Sequence, residues 1–300
     1  MKTIVITGAN SGIGYETAKH LALQGNIVIA ASRKKNETLK IIDSINKLCS
    51  EGNTNGKVVF YDMDLMNLKS VEACTEKINA DFPVIDILIC NAGVMNAPYK
   101  ISVDGYETHF QTNYLSHFLI TSKLIDKLLM SENPKVINVC SASAEKGTID
   151  SINNLEKMST VSENNYTAIT SYRESKLAQQ TSVIALNDIE EYKKIKFSLI
   201  HPGIVNTNLF YRNSGPVYKA IMTPFAYLGY MFGFFKTPKQ GAETTLFLVE
   251  NEDYETGYYW HKNKKIAPNP IAQNKVYTNE LYTWTMHKLS TLNNQINSEV

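Results

Sequence analysis

The sequence predicts an α/β fold of the doubly wound type, in which helices cover both faces of a mainly parallel sheet. Short β-branched runs alternate with longer segments of helical periodicity, which is typical of parallel sheets with right-handed crossovers. The runs are apolar on both faces, as strands are in a sheet covered on both sides. The chain has 300 residues, 43% hydrophobic and 20% charged, so it can bury a sizeable core, which excludes a disordered or fibrous protein.

Seven runs are predicted to be strands, which gives a sheet of about seven strands. They are residues 3–7, 27–31, 57–61, 84–89, 136–140, 196–200 and 257–260. Between the first two runs, Ile13, Ala18 and Leu21 share one face of a predicted helix. No stretch has the composition of an interdomain linker and no fixed-period repeat occurs. We therefore expect one domain over residues 1–300, with an insertion at about 207–235.

The net charge and the positions of the cysteines and histidines argue against several classes of protein. A formal net charge of +1 gives no reason to expect a nucleic-acid partner. The four cysteines stand far apart with no CxxC pair, which argues against a disulfide framework and favours a reducing compartment. The six histidines are equally scattered, so we expect no metal site.

The apolar stretches of the sequence indicate where in the cell the protein is expected. Met1 and Lys2 lead directly into the first predicted strand, so we expect no signal peptide. The longest uncharged apolar stretch, residues 220–235, contains Pro224 and is shorter than the roughly 20 residues of a spanning helix. We expect a cytoplasmic protein, or one bound peripherally to the cytosolic face of a membrane.

A glycine-rich turn follows the first predicted strand. It reads TGANSGIG over residues 7–14 and leads into a helix. Glycines let the backbone approach a pyrophosphate closely, and the helix N-terminus offers free N–H groups to it. The Gly-x3-Gly-x-Gly spacing is wider than the standard dinucleotide fingerprint, and an ordinary flexible turn is the alternative. Placement between strand and helix favours dinucleotide binding in a Rossmann-like fold. The expected cofactor contacts here are Gly8, Asn10, Ser11, Gly12, Ile13 and Gly14.

The end of the second predicted strand favours NADP(H) over NAD(H). A cofactor with a free ribose 2′-hydroxyl usually meets an acidic residue at this place, but no acid occurs until Glu37. Arg33 can instead hold a 2′-phosphate through its charged fork. The alternative is a solvated basic loop.

One Tyr-x3-Lys pair out of four is placed for catalysis. The four pairs begin at Tyr15, Tyr172, Tyr192 and Tyr258. The pair Tyr172 and Lys176 begins a long helix that follows the fifth predicted strand, and that strand ends at Ser141. In open α/β sheets the carboxyl ends of the strands form the ligand-binding edge. We interpret the other three pairs as packing or surface residues.

These three residue types suit proton exchange with a carbonyl or alcohol oxygen. A phenol titrates near pH ~10, and a cation beside it favours the phenolate, so Lys176 is expected to lower the pKa of Tyr172. Tyr172 can then act as an acid/base, while Ser141 can hydrogen-bond the oxygen on which charge develops. The bound cofactor would carry out the hydride step.

The chain resembles the classical short-chain dehydrogenase/reductase family. Within that family it is most similar to the retinol dehydrogenase-like and WW-domain oxidoreductase branch. The matching segments, in the family's order, are TGANSGIG (7–14), ASR (31–33), DL (64–65), NAG (91–93), QTNYLSHFLIT around Asn113, NVCSAS (138–143), YRESK (172–176) and HPGIVNT (201–207). The segment KTPKQGAETTLFL and the tail LYTWTMHKLSTL are also similar to this branch.

The resemblance implies a role for each matching residue. Tyr172 would be the acid/base, Lys176 its partner and a ligand of the nicotinamide ribose, and Ser141 the donor to the substrate oxygen. Asn113 would support a water chain to Lys176, and Arg33 matches the basic position of NADP-preferring members. The remaining implied cofactor contacts are Asp64 and Leu65 at the adenine, Asn91, Ala92 and Gly93 along the adenosine side, and Pro202, Gly203 and Thr207 at the nicotinamide.

Some of these residues have plainer interpretations. Asn91 and Asn113 could be ordinary turn and helix residues. His201 lies beside the site, but no carboxylate is placed to tune it, so a structural role is favoured over proton transfer. Cys90 and Cys140 are expected to be small buried apolar residues.

The segment after HPG is strongly apolar over residues 216–235. The resemblance implies that this insertion covers the substrate. Such a surface suits a lipophilic pocket, an oligomer contact or peripheral membrane contact through residues 217–235, with plain packing as the alternative. The resemblance also allows a homo-oligomer that pairs through the helices carrying Asn113 and Tyr172.

The leading hypothesis is an NADP(H)-dependent oxidoreductase that acts on a carbonyl/alcohol pair of a lipophilic small molecule, similar to retinal, a steroid or a fatty aldehyde. The alternative from another class is a regulatory or scaffold protein that binds the cofactor and works through a partner. The intact Ser141, Tyr172 and Lys176 argue against it. An epimerase or dehydratase of the same fold is a third hypothesis, and the short stretch after Trp260 argues against that one.

Overall fold

The structure is a computed structural model that describes residues 1–33, 35–205 and 235–298, with side chains up to residue 291. The predicted insertion at 207–235 therefore lies outside the described residues, apart from Phe235. Thr207 also lies outside them.

The described residues form one eight-stranded sheet at the core of the fold. Its strands are β1 (Thr3–Thr7), β2 (Ile27–Ser32), β3 (Lys57–Asp62), β4 (Ile87–Cys90), β5 (Lys135–Val139), β6 (Lys196–Ile200), β7 (Tyr259–His261) and β8 (Lys264–Ile266). They lie in the order β3-β2-β1-β4-β5-β6-β7-β8, and every neighbouring pair is parallel except β7 and β8. The predicted doubly wound parallel sheet is confirmed.

The prediction of about seven strands falls one short, because β8 is an antiparallel edge strand. It returns from β7 through Lys262 and Asn263, whose φ angles are +50° and +59°. Two consecutive left-handed residues make the tight hairpin turn that matches the twist of the strands. Its sequence, Lys264, Lys265 and Ile266, has no apolar run because a charged edge strand faces solvent on its open side.

Helices flank this sheet on both faces. They are α1 (Gly12–Leu23), α2 (Lys35–Glu51), α3 (Leu68–Asp81), α4 (Ser116–Leu129), α5 (Ile152–Ser159), α6 (Ala168–Asp188), α7 (Pro238–Glu250) and α8 (Lys275–Ser298). A π-helical turn, Phe110–Leu115, leads into α4, and short 3-10 turns occupy Ala142–Lys146, Glu163–Asn165, Glu190–Tyr192 and Pro270–Gln273. Within the described ranges, no helix combines the length and apolar character needed to cross a bilayer.

The hydrophobic core is divided by the sheet into two layers, as alternation along a strand requires. Ile4 and Ile6 of β1 pack with Leu21 of α1 on one side, while Val5 packs with Leu124 of α4 on the other. All five side chains are fully buried. Because successive residues of a central strand are buried on opposite faces, both faces must be covered, and this explains the continuous apolar runs in the sequence.

The last helix, α8, covers the layer formed by α4 and α6. The ring of Trp284 meets Phe110 edge-to-face with centroids 6.1 Å apart, and Tyr282 packs against Phe118 at 6.0 Å. Leu281 of α8 is fully buried. The helix α6 therefore lies between the sheet and α8, and almost every side chain from Ser171 to Leu186 is buried.

Candidate active site

The candidate residues come together at the carboxyl ends of the central strands. The glycine turn follows β1, the Asn91-Ala92-Gly93 segment follows β4, and Ser141 follows β5. The strand order reverses between β1 and β4. Such a reversal opens a crevice at the carboxyl edge of an α/β sheet, which is where ligands bind in this fold class.

The glycine turn is shaped for close backbone approach. Gly8 and Gly12 have φ angles of +70° and +58°, which glycine adopts without strain. A Cβ on Gly14 would stand 2.4 Å from both the Gly8 oxygen and Asn91 Nδ2, so only glycine fits there. Ser11 precedes α1 without capping it through its side chain, which leaves the first N–H groups of the helix to other partners. An anionic dinucleotide fits this donor set.

The segment after β4 is tied to the glycine turn. Asn91 Nδ2 donates to the backbone oxygens of Thr7, at 2.9 Å, and Gly8, at 3.3 Å. The Thr7 hydroxyl oxygen accepts from the N–H groups of Asn91, at 3.0 Å, and Ala92, at 2.9 Å. Asn91 is therefore more than an ordinary turn residue, because its amide fixes the backbone of the turn.

A half-exposed ion pair lies at the ends of β2 and β3. Arg33 Nη1 is 3.6 Å from Asp64 Oδ1, and the two side chains are 50% and 41% exposed. Asp64 also accepts from the Met66 N–H at 3.0 Å, whereas Leu65 is buried and its carbonyl accepts from the Ser116 hydroxyl at 2.7 Å. A pair this long and exposed contributes little to stability. The guanidinium is therefore free to turn toward an anion.

The Tyr172 phenol and the Ser141 hydroxyl lie close together at the end of β5, near enough for Ser141 to influence the pKa of Tyr172. The Ser141 hydroxyl oxygen also accepts from the Ser143 N–H at 3.1 Å. Burial raises the pKa of Tyr172 to about 12, although the hydrogen bond from Ser141 acts in the opposite direction. A phenol in this state keeps its proton at neutral pH.

The structure does not show the expected lowering of the Tyr172 pKa by Lys176. The buried Lys176 ammonium donates to the Val139 oxygen at 2.9 Å and to Gln179 Oε1 at 3.0 Å, and burial lowers its pKa. The prediction that Lys176 lowers the pKa of Tyr172 is wrong for the protein alone. The cost of desolvating a phenolate outweighs the attraction of a cation that is directed elsewhere.

Asn113 lies in the π-helical turn and joins three parts of the site. Its Oδ1 accepts from the Val94 N–H at 2.8 Å, and its Nδ2 donates to the Val94 oxygen and to Ser175 Oγ, each at 3.0 Å. A Cβ on Gly93 would stand 3.2 Å from Asn113 Oδ1 and 3.9 Å from Lys176 Nζ. Single π-helical turns are frequent at functional sites because they redirect side chains.

The HPG segment at the end of β6 is held by His201. Its Nδ1 lies 3.3 Å from the Ala142 N–H nitrogen and 3.4 Å from that of Gly203, and it accepts from both. Its ring stacks on His261 at 4.6 Å. Burial lowers the pKa of His201 to about 4, with further lowering by His261 and Lys236. His201 is therefore a neutral hydrogen-bond acceptor, which agrees with the structural role favoured by the sequence. Pro202 is the next residue of the HPG segment.

Two buried polar residues of the site escaped sequence reasoning. The Glu174 carboxylate accepts from the N–H groups of Thr148, at 2.9 Å, and Ile149, at 3.0 Å, and thereby fixes the loop after Ser141 onto α6. His117 lies beside Thr7, with its Nε2 3.0 Å from the Thr7 hydroxyl oxygen. Burial and the neighbouring Lys176 lower the pKa of His117 to about 4. The available signal was their nearness in sequence, since Glu174 is two residues from Tyr172 and His117 is four residues from Asn113.

The two neutral histidines should make the protein acid-sensitive. His117 and His201 have a pKa of about 4 in the folded protein against an ordinary 6.5. Between these values the unfolded chain binds protons that the folded chain refuses, so the stabilising contribution is complete above pH 6.5 and is lost as pH falls toward 4. For His117 the loss is on the order of 3 kcal/mol. Urea unfolding at several pH values should show the free energy of unfolding falling over this range.

The control for this prediction is the double variant His117→Gln and His201→Gln. It removes both titrating groups while keeping amide donors and acceptors, so its stability should depend less steeply on pH between about 6.5 and 4. Parallel curves for the wild type and the variant would contradict the prediction.

Comparisons with known proteins identify a family and several relatives. The family model described as short chain dehydrogenase matches residues 2–153. The chain is 33% identical over 289 residues to retinol dehydrogenase 14 of Mus musculus, covering 94% of this chain and 84% of that protein. It is 30% identical over 290 residues to polyprenol dehydrogenase of Homo sapiens, covering 94% and 83%.

Solved structures share the fold at lower identity. An uncharacterized protein from Mycobacterium paratuberculosis superimposes with a TM-score of 0.71 at 24% identity, covering 96% of this chain and 93% of that chain. An alcohol dehydrogenase from the archaeon Thermococcus sibiricus, complexed with 5-hydroxy-NADP, gives 0.62 at 20% identity, covering 89% and 99%.

The fold, the site and these matches define an oxidoreductase of the short-chain dehydrogenase/reductase family, and the chain belongs to that family. Within it, the chain belongs to the retinol dehydrogenase-like branch. Members of the family use a nicotinamide cofactor, and this chain is accordingly an enzyme of hydride transfer that acts on alcohols or carbonyls.

Proposed function

We propose that this chain is an NADP(H)-dependent oxidoreductase that interconverts the carbonyl and alcohol forms of a lipophilic small molecule. The observation that carries the proposal is the proximity of the Tyr172 phenol to Ser141, with Lys176 one helical turn away. These groups lie at the carboxyl edge of the same sheet as the glycine turn.

In the proposed mechanism, a bound nicotinamide supplies or accepts the hydride. Tyr172 donates its proton to the carbonyl oxygen during reduction and accepts it from the alcohol during oxidation. Ser141 hydrogen-bonds the same oxygen and stabilises the charge that develops on it. Because the pKa of Tyr172 is raised to about 12, the proton needed for reduction is in place at neutral pH.

Each cofactor contact is proposed on the placement of its residue. Lys176 would hold the nicotinamide ribose, and Asn113, which lies beside it across Gly93, would support the water chain. The pyrophosphate would lie on the glycine turn and the first turn of α1. The other proposed contacts are Asp64, Leu65, Asn91, Ala92, Pro202, Gly203 and Thr207, of which Thr207 lies outside the described residues.

The preference for NADP(H) is proposed on Arg33. It stands at the end of β2 with its guanidinium half exposed, and its partner Asp64 is 3.6 Å away. The side chains that follow it bring no carboxylate before Glu37. An arginine here can form a bidentate, charge-assisted pair with a 2′-phosphate, which NADH does not carry.

Arg33→Glu should weaken NADPH binding by roughly 100-fold and change NADH binding less than threefold, because a charged hydrogen-bond pair is replaced by repulsion of the 2′-phosphate alone. Fluorescence titration gives both dissociation constants. Lys40→Glu is the matched control, since Lys40 is an exposed residue of α2 and its reversal alters net charge equally. Equal weakening for both cofactors would remove the argument for NADP(H).

The lipophilic substrate is proposed on two observations. The related proteins are named for retinol and polyprenol, both of which are lipophilic alcohols. The apolar segment 216–235, which continues from the HPG segment, would supply the substrate-covering surface and any contact with a membrane.

A substrate panel read by NADPH absorbance tests the function. We expect NADPH consumption with at least one of retinal, a steroid ketone and a fatty aldehyde, and much slower consumption with a short polar aldehyde. Stoichiometric NADPH binding without turnover of any carbonyl, or of the matching alcohols with NADP⁺, would overturn the proposal and favour a cofactor-binding regulatory protein.

A further inference from the structure

Three buried polar side chains repeat at intervals of four residues before and within α4. They are His109, Asn113 and His117, and each is at most 2% exposed. In a regular α-helix four residues overshoot one turn by about 40°. The wider i→i+5 turn at Phe110–Leu115 slows this rotation, so the three side chains stay on one face. Buried polar groups need hydrogen-bond partners.

All three find partners in, or tied to, the segment after β4, residues 91–97. His109 Nε2 accepts from the Ala97 N–H at 3.3 Å. Asn113 binds both the N–H and the oxygen of Val94, at 2.8 and 3.0 Å. His117 Nε2 bonds the Thr7 hydroxyl at 3.0 Å, and that hydroxyl holds Asn91 and Ala92. The segment and the helix therefore run side by side, joined at three levels.

The remaining contacts determine which ring nitrogen of each histidine carries the proton. Glu107 Oε1 lies 2.7 Å from His109 Nδ1, so Nδ1 donates there and Nε2 is left to accept from Ala97. The Thr7 hydroxyl oxygen already accepts two N–H groups, so its own proton goes to His117 Nε2. His117 Nδ1 then donates to the Asn113 oxygen at 3.3 Å. Both imidazoles therefore accept a hydrogen bond at Nε2.

We propose that His109 and His117 are positioning residues that, together with Asn113, form a three-rung ladder holding residues 91–97 against the cofactor. His117 fixes the end that is joined to the glycine turn. His109 fixes the opposite end, where its ring meets the Tyr172 ring edge-to-face with centroids 6.1 Å apart. His117 thus acts at the cofactor end of the site and His109 at the end near Tyr172. This assignment of separate roles rests on the proposed function.

Because the two histidines have separate roles, we expect different effects from substitutions of His117 and of His109. His117→Leu should raise the NADPH dissociation constant about tenfold, because the glycine turn and residues 91–92 lose their common anchor. His109→Leu should leave that constant within twofold but lower kcat/KM about tenfold. Glutamine can accept at its amide oxygen and reach as far as Nε2, so His117→Gln and His109→Gln should each stay within threefold of the wild type.

Amide hydrogen exchange of the peptide covering residues 91–97 gives a readout independent of turnover. Exchange should accelerate at Asn91 and Ala92 in His117→Leu and at Ala97 in His109→Leu, and remain native in both glutamine variants. If His117→Leu does not fold, His117→Asn replaces it, because asparagine reaches the backbone oxygen of Asn113 but not Thr7 Oγ1. His287→Leu, an exposed histidine of α8, is the matched control and should change nothing.

The ladder would be overturned if the leucine variants kept native exchange in residues 91–97. It would also be overturned if both variants changed the NADPH dissociation constant and kcat/KM alike and glutamine restored neither. A wild-type protein that binds NADPH but turns over no substrate would refute the proposed function alone, since exchange and NADPH affinity still test the ladder.

Discussion

Tyr172→Phe should lower turnover at least about 10³-fold while NADPH affinity changes less than threefold. The substitution removes one hydroxyl and leaves the buried ring in its packing, including its edge-to-face contact with His109. General acid–base groups typically contribute about 10² to 10⁴ to the rate. The loss should appear in kcat rather than in KM, because the proton is transferred only in the transition state.

The controls separate this role from a general effect of losing a phenol. Tyr258 begins another Tyr-x3-Lys pair, is 40% exposed, and lies under the ammonium of Lys265 at 4.6 Å. Tyr258→Phe should retain wild-type kcat. Initial rates with the best carbonyl of the panel, and NADPH titration by fluorescence, measure both quantities. A Tyr172→Phe protein with wild-type kcat would refute the assignment of the acid.

Leu281→Asp should destabilise the protein by about 4 kcal/mol or more, because it places an unpaired carboxylate in an apolar layer. Leu281 is 0% exposed on α8, which packs over α6, the helix that carries Tyr172 and Lys176. A loss of that size is a large share of the roughly 5–15 kcal/mol by which a domain of ordinary stability stays folded. We therefore expect activity to be lost at a lower urea concentration than in the wild type, although Leu281 lies on a different helix from Tyr172 and Lys176.

Met286→Asp provides the matched control on the same helix. Met286 is 40% exposed, so the same carboxylate remains in contact with water. Its free energy of unfolding should stay within about 0.5 kcal/mol of the wild type. Urea denaturation followed by circular dichroism compares the midpoints at equal slope. Equal stability of the two variants would show that α8 contributes little to the core.

The strands were largely predictable because buried parallel strands are marked by apolar runs. The boundaries were less so: the run at 84–89 was predicted as a strand, but β4 is Ile87–Cys90. Ile85 is buried in the core like a strand residue, yet its N–H donates to the Lys127 oxygen of α4 and not to a neighbouring strand. Apolar character reports burial rather than hydrogen-bond partner. The same reason explains why β8 was not predicted, since both of its lysines are exposed and only Ile266 is partly buried.

The candidate site divides in a similar way. Spacing along the chain predicted that Ser141 and Tyr172 would meet, because both follow from the order of strands and the period of a helix. The state of those groups could not be predicted, since the pKa of Tyr172 depends on desolvation by residues from several elements. His117 escaped notice for a related reason. An isolated histidine in an apolar stretch carries no sign of its partner Thr7, which lies 110 positions away.

The place of α8 at residues 275–298 has a consequence for how the enzyme is made. Ribosomal synthesis delivers this helix after every strand of the sheet, so the nascent chain has a completed sheet while the outer side of α6 is still bare. Incomplete intermediates with apolar surface are prone to aggregate. The helix that carries Tyr172 is enclosed only once the segment around Leu281 has left the exit tunnel, so this side of the fold is completed after the sheet.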